Sequence, residues 1–231
     1  MRAESSTPAT NETVVAAYDR LAAPYDLLIA PLEAKTRRRA IEGLQLEPGE
    51  TVLEIGCGPG HALRVLSRHT SPDGHVIGLD ASPNMLARAR SRVERSMATD
   101  RIDPLNRIDL LLGDARSLPL PDGSVDVVFI EDTLELFSSD GISTVVAECA
   151  RVLGREGKLG VVTMERSGME GDPFVRLYEW LFDRVPGYER VGCRPIYARR
   201  AIEDGGFTIE RQERHRRGYV WPVEILIARH D

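Results

Sequence analysis

The segment Val52-Leu53-Glu54-Ile55-Gly56-Cys57-Gly58-Pro59-Gly60 is a short apolar run carrying an acid, followed by glycine at every second position. It reads as a strand entering a tight turn, with a helix to follow from His61. Glycine serves where the backbone takes unusual dihedrals or lies against a ligand with no Cβ between them. The end of a strand before a helix is where open α/β sheets bind nucleotides, and the helix start presents N–H groups. A dinucleotide fingerprint would read G-x-G-x-x-G. Here Gly60 arrives one residue early and His61 stands in the third glycine's place. Glu54 would repel a pyrophosphate and suits a cationic group such as an amino-acid ammonium. The pattern favours an adenosyl amino acid over a dinucleotide.

The E-x-G-x-G-x-G order after a strand resembles motif I of class I S-adenosylmethionine-dependent methyltransferases, with Glu54, Gly56, Gly58 and Gly60 as its residues. The resemblance extends along the chain. Asp80 ends the segment Val76–Asp80, where the two oxygens of a carboxylate can accept from both hydroxyls of a ribose. Ala81 and Met85 follow it, and Met85 or Leu86 would pack near the adenine. Gly113-Asp114-Ala115 is similar to the family's adenine-reading turn, with Asp114 accepting from the exocyclic amine and Ala115 donating a backbone N–H. Acids at the ends of three successive strands make coincidence improbable.

Three further segments are similar to the subgroup that contains the ubiquinone and menaquinone biosynthesis C-methyltransferases. They are Leu118–Asp126, Tyr18–Asp26 and Glu148–Leu159, the last with Arg155-Glu156 where a proline-glycine turn is usual. The resemblance implies that Tyr18 and Tyr25 cover the cofactor, core packing being the alternative. It also implies that Glu131 and Asp132 touch the methionyl end of the cofactor or the acceptor. Otherwise Asp132 caps a helix, and Glu135 is solvated. Glu131 and Tyr25 are the candidate catalytic residues. His61 contacts the cofactor or caps its helix.

The positioning elements follow from periodicity. Strands and helices alternate, which implies a mostly parallel sheet covered on both faces. The resemblance implies a Rossmann-like α/β fold of seven strands with the last antiparallel, an N-terminal helical element and a helical lid insertion. Helices are expected at about Asn11–Leu21, Glu33–Leu44, Ala62–Arg68, from Pro83 with Ser82 as cap, and at Ser143–Leu153. Strands are expected at Thr51–Ile55, His75–Leu79, Ile108–Leu112, Val125–Ile130 and Lys158–Met164. Phe207–Arg211 and Tyr219–Ala228 read as a closing hairpin.

Within 164–206, Phe174, Leu177, Tyr178, Leu181, Phe182 and Val185 recur at helical spacing. The stripe is either a lid over the acceptor or an amphipathic helix packed on the sheet. Tyr178, Phe182, Arg194 and Tyr197 are the candidate substrate residues; Arg194 and Tyr197 would otherwise lock the lid to the domain.

Length and composition bound the remaining choices. The 231 residues suit one domain over 13–231 behind a polar tail at 1–12. The tail has no apolar h-region, so it does not read as a secretory signal. A net charge of -6 argues against nucleic acid as a partner. Cys57, Cys149 and Cys193 are scattered and lack metal spacing, so no metal is expected. Cys57 and Cys149 read as packing residues, and a reducing cytoplasm fits.

The sequence thus reads as an enzyme that moves a methyl group from S-adenosylmethionine to a small apolar or aromatic acceptor, a quinol precursor among the candidates. A lipophilic acceptor would bring peripheral membrane contact. The alternatives are a cofactor-binding module without turnover and a nucleotide-dependent oxidoreductase.

Overall fold

Alternation of apolar residues decides the layers of this protein. In its central strands, adjacent residues point to opposite faces and most are apolar, as a sheet buried on both sides requires. A computed structural model describes residues 30–99, 106–169, 171–184, 194–218 and 220–230, without the side chains of 30–32, 182 and 183. The expected helix at Asn11–Leu21, together with Tyr18, Tyr25, Val185 and Cys193, lies outside the described residues.

In order, the elements are α1 (Ala30–Gly43), β1 (Thr51–Ile55), α2 (Leu63–His69), β2 (His75–Asp80), α3 (Pro83–Met97), β3 (Arg107–Leu112) and β4 (Val125–Glu131). A 3-10 turn at Leu134–Leu136 precedes α4 (Ser139–Val152), β5 (Leu153–Met164), α5 (Pro173–Arg184), α6 (Ala198–Asp204), β6 (Phe207–Arg217) and β7 (Trp221–His230). The seven strands run in the order β3-β2-β1-β4-β5-β7-β6. β1 pairs in parallel with β2 and β4, and β7 lies antiparallel between β5 and β6. The fold is the expected Rossmann-like sheet.

Two apolar cores flank it. Val52, Val76, Val127 and Phe129 face α1, α2 and α3 through Ile41, Leu44, Leu63, Leu66 and Ala89. Leu53, Ile77, Val128 and Ile130 face the opposite core, which includes Val145, Val146, Cys149 and Ile202 of α4 and α6. Cys57 and Cys149 are buried packing residues, as expected, and burial pushes the Cys149 thiol up to about 12.

Several boundaries moved. The α3 cap is as expected: Ser82 accepts from Met85 N and Pro83 opens the helix. α4 starts earlier, at Ser139, because Ser138 caps it by accepting from Gly141 N. β5 begins at Leu153, directly after α4, and Glu156 takes a left-handed φ of 61° in place of the usual glycine. β6 runs six residues past the expected Arg211. Its second half is polar because it forms the sheet's edge.

Candidate active site

The order of strands reverses beside β1, with β2 on one side and β4 on the other. Such switch points open a crevice at the carboxyl ends of the strands. Here the crevice is a cleft with about 1040 Å³ of open space, lined from β1, β2, β4 and α1 and by the turn after β3.

The glycine turn forms one wall. Gly56 N and Cys57 N both donate to Leu79 O, at 2.8 and 3.0 Å. Gly56 has φ 71°, and a Cβ there would collide with the Thr133 side chain, so the turns after β1 and β4 close on each other only over a glycine. Gly58 lines the cleft with space beyond it. Gly60 turns away: its φ is 81°, and an added Cβ would press on Ala89 of α3 at 3.0 Å. Its place is in helix packing, not in the lining. His61 lines the cleft just ahead of α2.

Asp80 stands at the end of β2. Its Oδ2 accepts from Gly58 N and its Oδ1 from Ser82 N, both at 2.8 Å. These bonds fix the carboxylate plane. Ala81, Met85, Asp114 and Ala115 continue the lining. The Asp114 carboxylate is gripped by Arg116, with Nη2 to Oδ2 at 2.6 Å, a contact the sequence did not suggest.

The far wall is ionic. Glu54 is buried with Oε2 lacking a partner, and Glu131 has its Oε1 in the same condition. Burial, then the neighbouring Glu131 and Asp80, hold the Glu54 carboxyl well above the usual carboxylate range, against the pull of Arg37. Burial pushes Glu131 up to about 8; Arg37 opposes this, while Asp132 and Glu33 add to it.

Arg37 is a residue that sequence reasoning missed. Its Nε donates to Glu131 Oε2 at 2.5 Å and its Nη2 to Glu33 Oε2 at 3.0 Å. Glu33 and Arg37, four apart on α1, continue the buried stripe of Ala40, Ile41 and Leu44. The signal was a helix face whose apolar run ends in two opposite charges, hidden inside Arg37-Arg38-Arg39.

Arg217, at the end of β6, was missed too. Its Nη1 donates to Asp132 Oδ2 at 2.6 Å and lies 3.9 Å from Glu33 Oε1. Asp132 holds a left-handed φ of 49°. The oxygens of Glu33, Glu131 and Asp132 come within 4.8 Å of one another. Arg37 and Arg217 already supply the positive charge that a metal ion would bring to them.

Two alternatives from the sequence are corrected. Thr133, not Asp132, occupies the cap position of the 3-10 turn. Glu135 is not solvated: it is buried, accepts from Thr163 Oγ1 at 2.9 Å, and burial pushes its carboxyl up to about 8.

The candidate substrate residues lie away from this lining. Tyr178 is buried beside Phe174, which in turn meets the Trp221 ring edge-on at 5.2 Å. Leu177 and Trp180 point outward. Arg194 donates to Phe137 O at 3.3 Å, behind a residue of the cleft rim. Tyr197 is half exposed, with the Arg166 guanidinium 5.5 Å above its ring. The Phe182 side chain is outside the described residues.

Comparison with known proteins gives the class. Residues 52–157 match the family model of the methyltransferase domain. An uncharacterized 37.1 kDa protein in transposon TN4556 of Streptomyces fradiae is 37% identical over 119 residues, 52% of this chain and 31% of that one. A demethylmenaquinone methyltransferase of Listeria welshimeri is 28% identical over 169 residues, 71% of this chain and 68% of that one. Magnesium protoporphyrin IX methyltransferase from Synechocystis, solved with bound S-adenosylmethionine, shares the fold at a TM-score of 0.68 and 18% identity, over 98% of this chain and 100% of that one. The chain therefore spans about a third of the length of the streptomycete relative.

Residues 52–157 thus carry a match to the methyltransferase domain, on a fold shared with S-adenosylmethionine-dependent methyltransferases. Among these relatives the chain resembles the quinone methyltransferases over 71% of its length.

Proposed function

We propose that this chain methylates a small apolar or aromatic acceptor, with a quinol precursor as the first candidate. The observation that carries the reading is the single cleft that gathers Glu54, Asp80 and Asp114 from the ends of β1, β2 and β3.

The residues present fit the cofactor. The unpartnered Glu54 Oε2 and Glu131 Oε1 are acceptors that an ammonium group would satisfy. Asp80, with its plane fixed by Gly58 and Ser82, takes the ribose diol. Ala115, beside Asp114, offers its backbone N–H to the adenine, and Met85 packs beside the ring. When bound, S-adenosylmethionine supplies a methyl group already activated on a sulfonium.

The protein's work is then alignment and exclusion of water. Arg37 holds Glu131 in place and offsets part of its charge. Segment 164–206 serves as the acceptor-side cover: Phe174 of α5 packs on Trp221, four residues past Arg217. The similarity to a demethylmenaquinone methyltransferase supports the quinol candidate.

The test is a methyl-transfer screen against cell extract with labelled cofactor, the product being identified by mass. A labelled small aromatic product supports the reading. Label found only in protein or nucleic acid contradicts it.

A further inference from the structure

One charged side chain beside the cleft stands just outside its lining. Arg217 lies at the tip of the β6–β7 hairpin. Met164, at the carboxyl end of β5, pairs with Val223, so this tip overhangs the same sheet edge as the cleft. The side chain is only 11% exposed. Its Nη1 is fixed by Asp132, itself part of the cleft lining. Nε and Nη2 are buried and meet no acceptor. Buried guanidinium donors are costly to leave unmade, and a planar fork matches a bound oxyanion. Among the described residues, Trp221 and its neighbour Phe174 place aromatic side chains at the same end of the sheet.

We infer that Arg217 is a specificity-determining residue that anchors the acceptor by an anionic oxygen, so that the acceptor is an aromatic compound bound as its phenolate. This rests on the methyltransferase reading above and deepens it. The hydroxyl proton leaves to solvent on binding, and the anion pairs with Nε and Nη2 of Arg217. Asp132 positions the fork, and its strained left-handed backbone, pinned by Asp132 N donating to Val162 O at 2.9 Å, keeps it there. An ether of the same aromatic has no charge to offer and leaves both donors unmade.

The probe is 4-nitrophenol, whose phenolate absorbs separately from its phenol, against 4-nitroanisole, its methyl ether. The full chain is titrated in buffer below the probe's solution pKa, alone and with S-adenosylhomocysteine. A saturable phenolate band is expected, with the ether binding at least about tenfold more weakly. Arg217→Gln should lose the band while keeping affinity for S-adenosylhomocysteine. Asp132→Asn keeps a residue that tolerates the left-handed backbone and removes a carboxylate beside the fork. It should tighten the phenolate several-fold, and it carries the test should Arg217→Gln fail to fold. A missing band in the parent chain, an equal band in Arg217→Gln, or a weaker one in Asp132→Asn would overturn the inference. Absence of heat with S-adenosylhomocysteine would instead remove the cofactor reading. The titration of the chain alone still decides the anion site.

Discussion

Arg37 Nε stands 2.5 Å from Glu131 Oε2, so α1 is tied to the end of β4 across the cleft. The tie satisfies only one oxygen of Glu131. The other, together with Oε2 of Glu54, is buried without a partner. A protein that only needed stability would gain from apolar residues here, since buried ion pairs repay their desolvation poorly. The arrangement is that of a site awaiting a cation.

The pH dependence follows from that. A carboxyl whose folded pKa lies above its unfolded value takes up a proton on folding. Stability is then lost as pH rises from about 4.5 to about 8, the window set for Glu131. Glu131→Gln should flatten part of that slope, with Glu54 and Glu135 keeping the rest. The variant should melt higher than the parent at the alkaline end of the window and match it at the acid end. Its cofactor affinity should fall by roughly 1.5–3 kcal/mol, the worth of a charge-assisted bond. Scanning fluorimetry across pH checks the first part. A variant that melts lower at the alkaline end would mean that the ionised Glu131 holds the fold together.

Gly56→Ala should destabilise the chain by about 2–3 kcal/mol and abolish cofactor binding, through its positive φ and the clash with Thr133. Adding Thr133→Ala removes the two nearest atoms and should restore part of the stability, leaving the backbone strain. Urea unfolding of the single and double variants reads this. No recovery would place the cost in the backbone alone.

Asp80→Ala should weaken cofactor binding by roughly 1.5–3 kcal/mol. Asp126→Ala should leave it unchanged, because Asp126 sits at the opposite end of the sheet and accepts from Thr51 N at 2.8 Å. Equal losses in calorimetry would mean that the cleft is not where the ribose binds.

Tyr178→Ala with Phe182→Ala should keep cofactor affinity and lose methyl transfer, if 164–206 covers the acceptor. Transfer that survives with unchanged acceptor preference would leave Tyr178 as packing against Phe174 and nothing more.

The sequence made the parallel core legible because β1, β2 and β4 are apolar on both faces and are punctuated by glycine, Asp80 and Ser82-Pro83. The polar half of β6, Gln212–Arg217, carried no such signal: it is an edge strand, half solvated, without alternation. That cost the reading Arg217. Arg37 was hidden for another reason. Its burial depends on Glu131, ninety-four residues away in sequence, and no local pattern encodes such a pairing. The three acids of the cleft, Glu54, Asp80 and Asp114, were readable because strand ends fix their positions. In the α5 and β6–β7 region, which we propose for the acceptor side, spacing alone does not say which side chain reaches the cleft.

Titration calorimetry with S-adenosylmethionine, its demethylated product and a nicotinamide dinucleotide tests the central claim most directly. The account predicts micromolar-range binding, about -8 kcal/mol, for both adenosyl ligands, and no comparable heat from the dinucleotide. Preference for the dinucleotide, or no heat from S-adenosylmethionine, would contradict it.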